Sequence, residues 1–213
     1  GELLVINEEA SYLSVTANIS IRVNPDVAVE SHPYISTGMK DNKFGITYNN
    51  ALALYIKASK LSSLNIIGID FHIGSQITSI QPYLDSIKSV RSLVSDLKKE
   101  NINITHIDVG GGLGISYEDE DIVSKGDYIK EITNSLKDLN LTILFEPGRS
   151  VIGDCGLLVT KLQYIKESET KNFMIVDASM SELLRPPLYD AFHKITPVIK
   201  RNTNYKTYDI VGP

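Results

Sequence analysis

Three apolar runs, each ending in polar or glycine-rich residues, constrain the fold of this chain more than any other feature. The segments are residues 68–76 (GIDFHIGSQ), 106–112 (HIDVGGG) and 143–149 (ILFEPGR). They begin roughly 36 to 39 residues apart, which accommodates one strand, one helix and two loops in each repeat. Because the parallel strands of such repeats end at one edge of the sheet, we expect the residues that close the runs to form an active site.

The segments around these runs indicate helices. Apolar residues recur at helical spacing over residues 83–97 and 128–139, with charged residues mostly on the opposite face. An earlier helix is predicted to begin with Asn49 as its N-cap. The strands at 66–71 and 104–109 are mostly continuous apolar runs, which is typical of parallel strands buried on both faces. This pattern favours a βα barrel over an open doubly wound sheet.

The pattern changes near residues 151–156. Upstream, a short apolar run at residues 3–6 precedes a predicted strand at 19–25 and a polar loop at 26–41. Downstream, short β-rich runs follow one another, with only a turn or two of helix expected over residues 181–192. These runs cover residues 157–166, 173–176, 195–200 and 205–211.

These elements predict an α/β chain with two domains. Residues 1–152 are predicted to form part of a TIM-like (β/α)8 barrel that carries the candidate site, and residues 153–213 to begin an antiparallel β domain. About five barrel strands can be counted where a closed barrel has eight, so we expect the sequence to be an internal fragment. Since an open barrel exposes a strand edge, we expect a chain of this length alone to be poorly stable.

Composition narrows the range of partners. The 213 residues carry a net charge of −5 with no basic stripe, which argues against nucleic acid and an anionic membrane surface as partners. No apolar stretch approaches the roughly 20 residues that a membrane span needs. The lone Cys155 cannot form an intrachain disulfide, which suits a reducing compartment. We therefore expect a cytoplasmic protein that binds neither membranes nor nucleic acid.

The residues that close the runs suit a phosphorylated ring. His72 offers a flat ring, although a buried histidine satisfied by its neighbours is the alternative. Ser75 and the glycines 110–112 offer a hydroxyl and unobstructed backbone N–H groups, although a tight turn would explain one or two of the glycines. Glu146 ends an apolar strand, so we expect its charge to be partly desolvated and to need a cationic partner. A structural ion pair with Arg149 is the alternative.

Eight blocks of the sequence, in order, resemble the fold-type III pyridoxal-phosphate-dependent amino-acid decarboxylases, and most closely the branch that acts on diaminopimelate. A glycine triplet or a Glu-Pro-Gly-Arg segment alone is weak support, whereas eight blocks in the family's order extend over almost the whole chain. The matching blocks are residues 22–26, 32–38, 42–46, 72–76, 108–114, 146–149, 176–178 and 185–191.

The resemblance implies a role for each site residue. His72 would stack on the pyridine ring of pyridoxal 5'-phosphate, and Glu146 would face the ring nitrogen. Arg185 would bind the far carboxylate of the substrate as a guanidinium fork, although an exposed salt bridge is the alternative. The implied cofactor-binding residues are His72, Ser75, Gly110, Gly111, Gly112, Glu146, Gly148 and Arg149. The implied substrate-binding residues are Arg149, Arg185 and Tyr189. No metal ligand is implied.

The implied activity is decarboxylation of meso-2,6-diaminopimelate to L-lysine, the last step of lysine biosynthesis. The family's Schiff-base lysine lies in a first-strand segment that this sequence lacks, so we expect no catalytic residue in the chain and an inactive fragment. The alternatives are a family decarboxylase for arginine, ornithine or carboxynorspermidine, and a non-catalytic relative that binds a partner protein or carries the cofactor. By resemblance, the full-length enzyme is expected to be a homodimer.

Overall fold

The structure is a computed structural model that describes residues 1–27, 43–199 and 206–213. The chain divides into two compact units. The first unit comprises Gly1–Ile115 and Asp121–Asp154, and the second comprises Ser116–Glu120 and Cys155–Pro213.

Some sequence predictions fall in the stretches that the structure does not describe. The matching block at residues 32–38, most of the predicted loop at 26–41 and the first residue of the block at 42–46 lie outside the described residues. The same holds for Lys200 and Tyr205, which each stand at one end of a predicted strand.

From residue 46 onward, strands and helices alternate along the first unit, as the spacing of the apolar runs predicts. The strands are β1 (Ala17–Asn24), β2 (Ile46–Thr47), β3 (Leu64–Asp70), β4 (His106–Asp108) and β5 (Thr142–Leu144). The helices are α1 (Glu2–Tyr12), α2 (Tyr48–Ala58), α3 (Gln81–Lys99), α4 (Lys125–Leu136), which a 3-10 turn (Lys137–Leu139) follows, and α5 (Arg149–Ile152). Within the described residues, these strands form one parallel sheet in the order β2-β1-β3-β4-β5. The predicted α/β fold is confirmed.

The ends of the long helices follow from local sequence. Pro82 lies in the first turn of α3, where its missing N–H costs no helical hydrogen bond, and Lys98 and Lys99 lie in the last turn, where they complement the helix dipole. Ser124 caps α4, because its Oγ accepts a hydrogen bond from the N–H of Asp127 at 3.0 Å. Within the part of the chain that the structure covers, no helix has the length and apolar character that crossing a membrane requires.

The register of the sheet decides which residues share a face. Asp70 pairs with Arg22 on one side and with Asp108 on the other, so these three charged residues lie on the same face. The preceding residues of β3 and β4, Ile69 and Ile107, lie on the opposite face and are completely buried. They join the apolar residues of α2, α3 and α4 in one core cluster. The charged face is the one on which the site is built.

Local details of the first unit differ from the predictions. The predicted burial on both faces is wrong for the strands at 66–71 and 104–109. Only Gly68 and Ile69 of β3 and Ile107 of β4 are fully buried, and the other residues of these strands are half-buried or exposed. The apolar run at residues 3–6 lies in helix α1, whose sequence contains the strong helix formers Glu8, Glu9 and Ala10. Helix α2 begins two residues earlier than predicted, with Thr47 and not Asn49 at the N-cap position.

The second unit has a sheet of its own. Its described strands are β6 (Leu162–Glu167), β7 (Asn172–Val176) and β8 (Asp209–Val211). Strands β6 and β7 are antiparallel, whereas β7 and β8 are parallel, so the sheet is mixed and the prediction of a purely antiparallel arrangement is corrected. Helix α6 (Arg185–Tyr189) supplies the expected turn of helix. Residues 195–199 are not a strand, contrary to the prediction.

Candidate cofactor site at the strand ends

Three carboxylates from neighbouring strand ends lie together in the first unit. Asp70 ends β3, Asp108 ends β4, and Glu146 follows the end of β5. One carboxylate oxygen of each lies within 4.8 Å of the other two. Because the three strands are parallel and in register, their ends bring these side chains to the same edge of the sheet. Such a cluster can hold a cation, whether a metal ion or a protonated organic group.

Neither Asp70 nor Asp108 was among the predicted site residues. Each ends one of the apolar runs that define the site. The pairing of β3 with β4 places the two residues directly opposite each other. The sequence signal was therefore present: an acidic residue stands at the end of each of two adjacent strands. Its meaning depends on the register, which the sequence alone does not give.

The carboxyl group of Asp70 has a raised pKa. Burial raises the pKa of Asp70 to about 6, with repulsion from Asp108 and Glu146 adding to the rise and attraction by Arg22 opposing it. Its Oδ1 is buried and has no hydrogen-bond partner within the described part of the chain. A buried oxygen in this state favours a hydrogen-bond donor or a cation supplied from outside the sheet.

His72 lies directly after β3, and its residue is half-buried. The N–H of Gly111 donates to its Nδ1 at 3.2 Å, so this nitrogen presents a lone pair. Burial lowers the pKa of His72, and the positive charge of Arg22 lowers it further, while Asp108 partly opposes these effects. The ring is therefore a neutral imidazole at pH 7. A neutral flat ring is suited to stacking on another aromatic ring.

Close packing requires the three glycines that follow β4. Gly110 and Gly112 adopt φ angles of +66° and +94°, which residues with side chains rarely adopt. A side chain on Gly111 would overlap the carbonyl oxygen of Glu146, and one on Gly112 would overlap that of Gly74. The triplet therefore lets the turn after β4 pass tightly between the ends of β3 and β5.

Two of the three predicted anion donors in this triplet are already engaged. The N–H of Gly110 donates to Oδ1 of Asp108 at 2.8 Å, and the N–H of Gly111 donates to His72. The expectation of unobstructed N–H groups is therefore wrong for these two glycines. From the helix side, the hydroxyl of Tyr83 on α3 donates to the carbonyl oxygen of Gly111 at 3.1 Å and secures the same turn.

Residues 146–148, which follow β5, are exposed to solvent. Glu146 is an exposed residue, so the expected desolvation of its charge is wrong. Its backbone N–H donates to the carbonyl oxygen of Gly110 at 2.8 Å, which fixes the end of β5 against the glycine turn. Gly148 begins helix α5 as its N-cap, and a side chain there would meet no atom within 4 Å. Ser75, in the loop after β3, is half-buried.

Arg149 is held by Gln76, a residue that the sequence analysis did not place in the site. Nη1 of Arg149 donates to Oε1 of Gln76 at 2.9 Å, which is a contact with an amide and not the alternative ion pair with Glu146. The same amide is clamped to the backbone of Ile115, with Nε2 donating to its carbonyl oxygen at 2.6 Å and Oε1 accepting from its N–H at 3.2 Å. Gln76 thus fixes the guanidinium of Arg149.

The remaining predicted residues, Arg185 and Tyr189, belong to helix α6 of the second unit. Within that unit, Nη1 of Arg185 donates to the hydroxyl of Tyr117 at 2.8 Å and lies 3.3 Å from Nε2 of His193. Arg185 is half-buried. The alternative of an exposed salt bridge does not describe these contacts, because the neighbours are a tyrosine hydroxyl and a histidine ring nitrogen and not a carboxylate.

Comparison with known proteins identifies the family of the chain. Residues 2–153 match the family model described as "Pyridoxal-dependent decarboxylase, pyridoxal binding domain". The chain belongs to this family. Its curated relatives include diaminopimelate decarboxylases of Pseudomonas aeruginosa, 47% identical over 212 residues, and Vibrio cholerae, 46% identical over 213 residues. These alignments cover 100% of this chain and 51% of each relative. The chain therefore spans about half the length of the curated relatives it matches.

Solved structures of the family have the same fold. The crystal structure of diaminopimelate decarboxylase from Helicobacter pylori complexed with L-lysine matches with a TM-score of 0.93 and 41% identity. The match covers 100% of this chain and 53% of that chain. A lysine decarboxylase from Selenomonas ruminantium, at 24% identity and a TM-score of 0.75, shares the fold.

The donor set in the first unit fits pyridoxal phosphate, the cofactor of this family. The neutral ring of His72 suits a stacked aromatic ring, and the three clustered carboxylates suit a protonated ring nitrogen. The buried Oδ1 of Asp70, which lacks a partner among the described residues, also favours a cationic group at this edge. The open space at Gly148 is compatible with a bulky phosphate.

Proposed function

We propose that the full-length protein decarboxylates meso-2,6-diaminopimelate to L-lysine with pyridoxal 5'-phosphate as its cofactor. The observation that carries this proposal is the 41–47% identity, over the whole length of this chain, to relatives named diaminopimelate decarboxylase. The clustered strand ends of the first unit support it, because they combine a neutral imidazole with carboxylates that attract a cation. The proposal concerns the full-length protein, since the chain spans about half of those relatives.

The ring side of the site is assigned to His72 and Glu146. His72 stacks on the pyridine ring, and Glu146 holds a proton at the ring nitrogen. When bound, the cofactor supplies a protonated ring that accepts electrons as carbon dioxide departs. Asp70 and Asp108 add negative charge within 4.8 Å of Glu146, which favours the proton at the ring nitrogen.

The phosphate side is assigned to the loops that follow the strands. The hydroxyl of Ser75 and the N–H groups of Gly112 and Gly148 donate to the phosphate, as does the backbone of Arg149. Gly110 and Gly111 are also assigned to the cofactor, but in a steric role. Their N–H groups donate to Asp108 and His72, while the absence of side chains leaves room for the cofactor.

The substrate side is assigned to Arg149, Arg185 and Tyr189, which bind the distal amino-acid head. Diaminopimelate has a second carboxylate that arginine, ornithine and carboxynorspermidine lack at the corresponding end, and guanidinium forks bind carboxylates in bidentate fashion. This chemistry favours diaminopimelate over those three alternatives.

The proposal also includes a homodimer in the cytoplasm, with no nucleic acid or membrane as a partner. The net charge of −5 without a basic stripe and the single cysteine support the location and the absence of nucleic acid. Sedimentation of the purified full-length protein tests the dimer, and cell fractionation tests the location. A monomer, or recovery with membranes, would contradict these two parts.

The activity is tested by carbon dioxide release from the purified full-length protein with diaminopimelate, arginine and ornithine in parallel. We expect turnover of diaminopimelate to exceed that of the two monocarboxylates by at least about a hundredfold, since each loses a charged contact. Glu146→Gln should lower turnover, because a neutral amide does not favour a proton at the ring nitrogen as a carboxylate does. Equal turnover of a monocarboxylate would refute the assignment of Arg185. A reading frame without the cofactor-binding lysine on the preceding strand would refute the enzyme itself.

A further inference from the structure

Arg185 is held by two neighbours that no assignment above includes. Its Nη1 donates to the hydroxyl of Tyr117 at 2.8 Å and lies 3.3 Å from Nε2 of His193. The guanidinium carbon lies 5.4 Å from the centre of the Tyr117 ring. The rings of Tyr117 and His193 meet edge to face, with centres 5.7 Å apart. Three side chains from separate stretches of the chain therefore form one cluster within the second unit.

The segment that carries Tyr117 is held by its own hydrogen bonds. Oε2 of Glu120 accepts from the N–H groups of Tyr117 and Glu118, at 2.8 and 2.9 Å, and from Oγ of Ser116 at 2.8 Å. These backbone and side-chain hydrogen bonds lower the pKa of Glu120 to about 2, so the acceptor stays charged at neutral pH. The hydroxyl of Tyr117 is thus presented to Arg185 from a fixed turn.

Both neighbours occupy the same nitrogen of Arg185. A guanidinium has five N–H groups, and the two on Nη1 point at Tyr117 and His193. Over residues 1–27, 43–199 and 206–213, no acceptor contacts Nε or Nη2 of Arg185 within hydrogen-bond distance. That edge carries two parallel N–H groups, which is the arrangement that binds a carboxylate through both of its oxygens.

We propose that Tyr117 and His193 are positioning residues that fix Nη1 of Arg185 and thereby aim its Nε–Nη2 edge at the distal carboxylate of the substrate. This inference rests on the proposed function, because it takes the distal carboxylate as the ligand of Arg185. A contact between Nη1 and His193 requires a lone pair on Nε2, so the neutral ring protonated on Nδ1 is the state that positions Arg185. A fixed guanidinium loses less conformational entropy when it binds a carboxylate.

The experiment uses the full-length holoenzyme and compares two ligands. L-Lysine carries the amino-acid head with its carboxylate, whereas 1,5-diaminopentane has the same chain without the carboxylate. Calorimetry measures the affinity for both ligands in the wild type, Tyr117→Phe and His193→Leu, with carbon dioxide release from diaminopimelate measured in parallel. Tyr164→Phe is the matched control, because it removes a tyrosine hydroxyl from an exposed position on β6.

We expect Tyr117→Phe and His193→Leu each to weaken L-lysine binding about tenfold, the usual effect of losing one hydrogen bond to a charged group. The affinity for 1,5-diaminopentane should stay within twofold, and so should kcat for diaminopimelate, while KM rises about tenfold. His193→Gln should recover most of the loss, because its side-chain oxygen can accept from Nη1. Tyr164→Phe should change none of these values.

Several outcomes would overturn the inference. Equal losses for the two ligands, a fall in kcat at constant KM, or no recovery in His193→Gln would each show that the cluster does not orient Arg185 toward a carboxylate. If His193→Leu does not fold, Tyr117→Phe decides, since it removes one oxygen and keeps the ring. The activity of the wild type distinguishes failure of the proposed function from failure of this inference. A wild type that does not act on diaminopimelate refutes the proposed function and this inference, whereas an active wild type with unaffected variants refutes the inference alone.

Discussion

The two units of the chain place functional residues by different means. In the first unit, Asp70 and Asp108 occupy their positions because two parallel strands pair in one register over a buried helix layer. In the second unit, Arg185 occupies its position because Tyr117 and His193 contact its side chain. Among the described residues, every fully buried hydrophobic residue belongs to the first unit. In the second unit, β6 is exposed along its whole length.

The two units should therefore respond to different changes. The strand-end site of the first unit depends on the backbone, because a change that moves one strand end displaces the side chains that the register brings together. The half-buried cluster around Arg185 in the second unit depends on single side-chain contacts, so it should respond to the loss of one hydroxyl. Substitutions in each unit test this contrast through the free energy of unfolding.

The largest effect is expected at Gly112, in comparison with Gly156 of the second unit. A side chain on Gly112 would overlap the carbonyl oxygen of Gly74, and its φ of +94° is strained for alanine. We expect Gly112→Ala to lower the free energy of unfolding by about 4 kcal/mol, the sum of backbone strain and overpacking. Gly156→Ala meets no atom within 4 Å and should change it by less than about 0.5 kcal/mol.

Urea denaturation, monitored by circular dichroism, measures the free energy of unfolding of both glycine variants. Their native spectra should agree with that of the parent protein, so that the difference lies in the unfolding midpoint. Comparable losses in the two variants would contradict the contrast between a closely packed first unit and an open second unit.

A smaller effect, with a pH signature, is expected at Asp70. In the folded state its pKa is about 6, whereas an unfolded aspartate has about 3.9. Between pH 4 and pH 6 the folded state keeps a proton that the unfolded state has lost, so Asp70 costs stability progressively as the pH rises through this window. Asp70→Asn removes this cost. After allowance for solvent screening, we expect it to raise the free energy of unfolding by about 1–2 kcal/mol at pH 7 and to leave it unchanged at pH 3.5.

Asp138 provides a control of opposite sign within the same unit. A hydrogen bond from Arg91 lowers the pKa of Asp138 to about 2, so its contribution is present at neutral pH and is lost as the pH falls through about 2. Asp138→Asn should therefore destabilise the protein at pH 7, where Asp70→Asn stabilises it. If both variants shift stability in the same direction at pH 7, the unfavourable position of Asp70 among its acidic neighbours is refuted.

The sequence predicts much of the first unit because its signals are local. The helical spacing over residues 83–97 and the apolar runs before His72 and Gly110 locate α3, β3 and β4 without reference to any distant contact. The short β5 and the exposed Glu146 are harder, because an apolar run looks buried whether or not a second layer covers it.

The contacts that set the geometry of the candidate site were not predictable from local patterns. Asp70 and Asp108 become neighbours only when the register of β3 and β4 is known. Arg185 and Tyr117 are 68 positions apart in sequence, and Gln76 and Arg149 are 73 apart. A polar side chain has many possible partners at such separations, and neither hydrophobic periodicity nor turn chemistry selects among them.

The smallest effect is expected for the surface ion pairs, and it tests whether packing alone separates the two units. In the first unit, Arg91 binds Asp138 through two hydrogen bonds of 2.6 and 2.7 Å and also donates to the carbonyl oxygen of Ser135. In the second unit, Lys206 contacts Glu167 at 2.8 Å. Exposed ion pairs contribute little to stability, because water screens the charges and long side chains lose entropy.

We expect Arg91→Gln to lower the free energy of unfolding by less than about 1 kcal/mol, since its pair is bidentate and adds a backbone contact. Lys206→Gln should give no resolvable shift in the urea midpoint. The small effect at Arg91 should shrink further in 1 M salt, where the screening length falls to about 3 Å. A loss at Lys206 as large as that at Gly112 would mean that ion pairs contribute as much to the stability of the second unit as close packing contributes to that of the first. The difference in stability between the two units would then be electrostatic in origin.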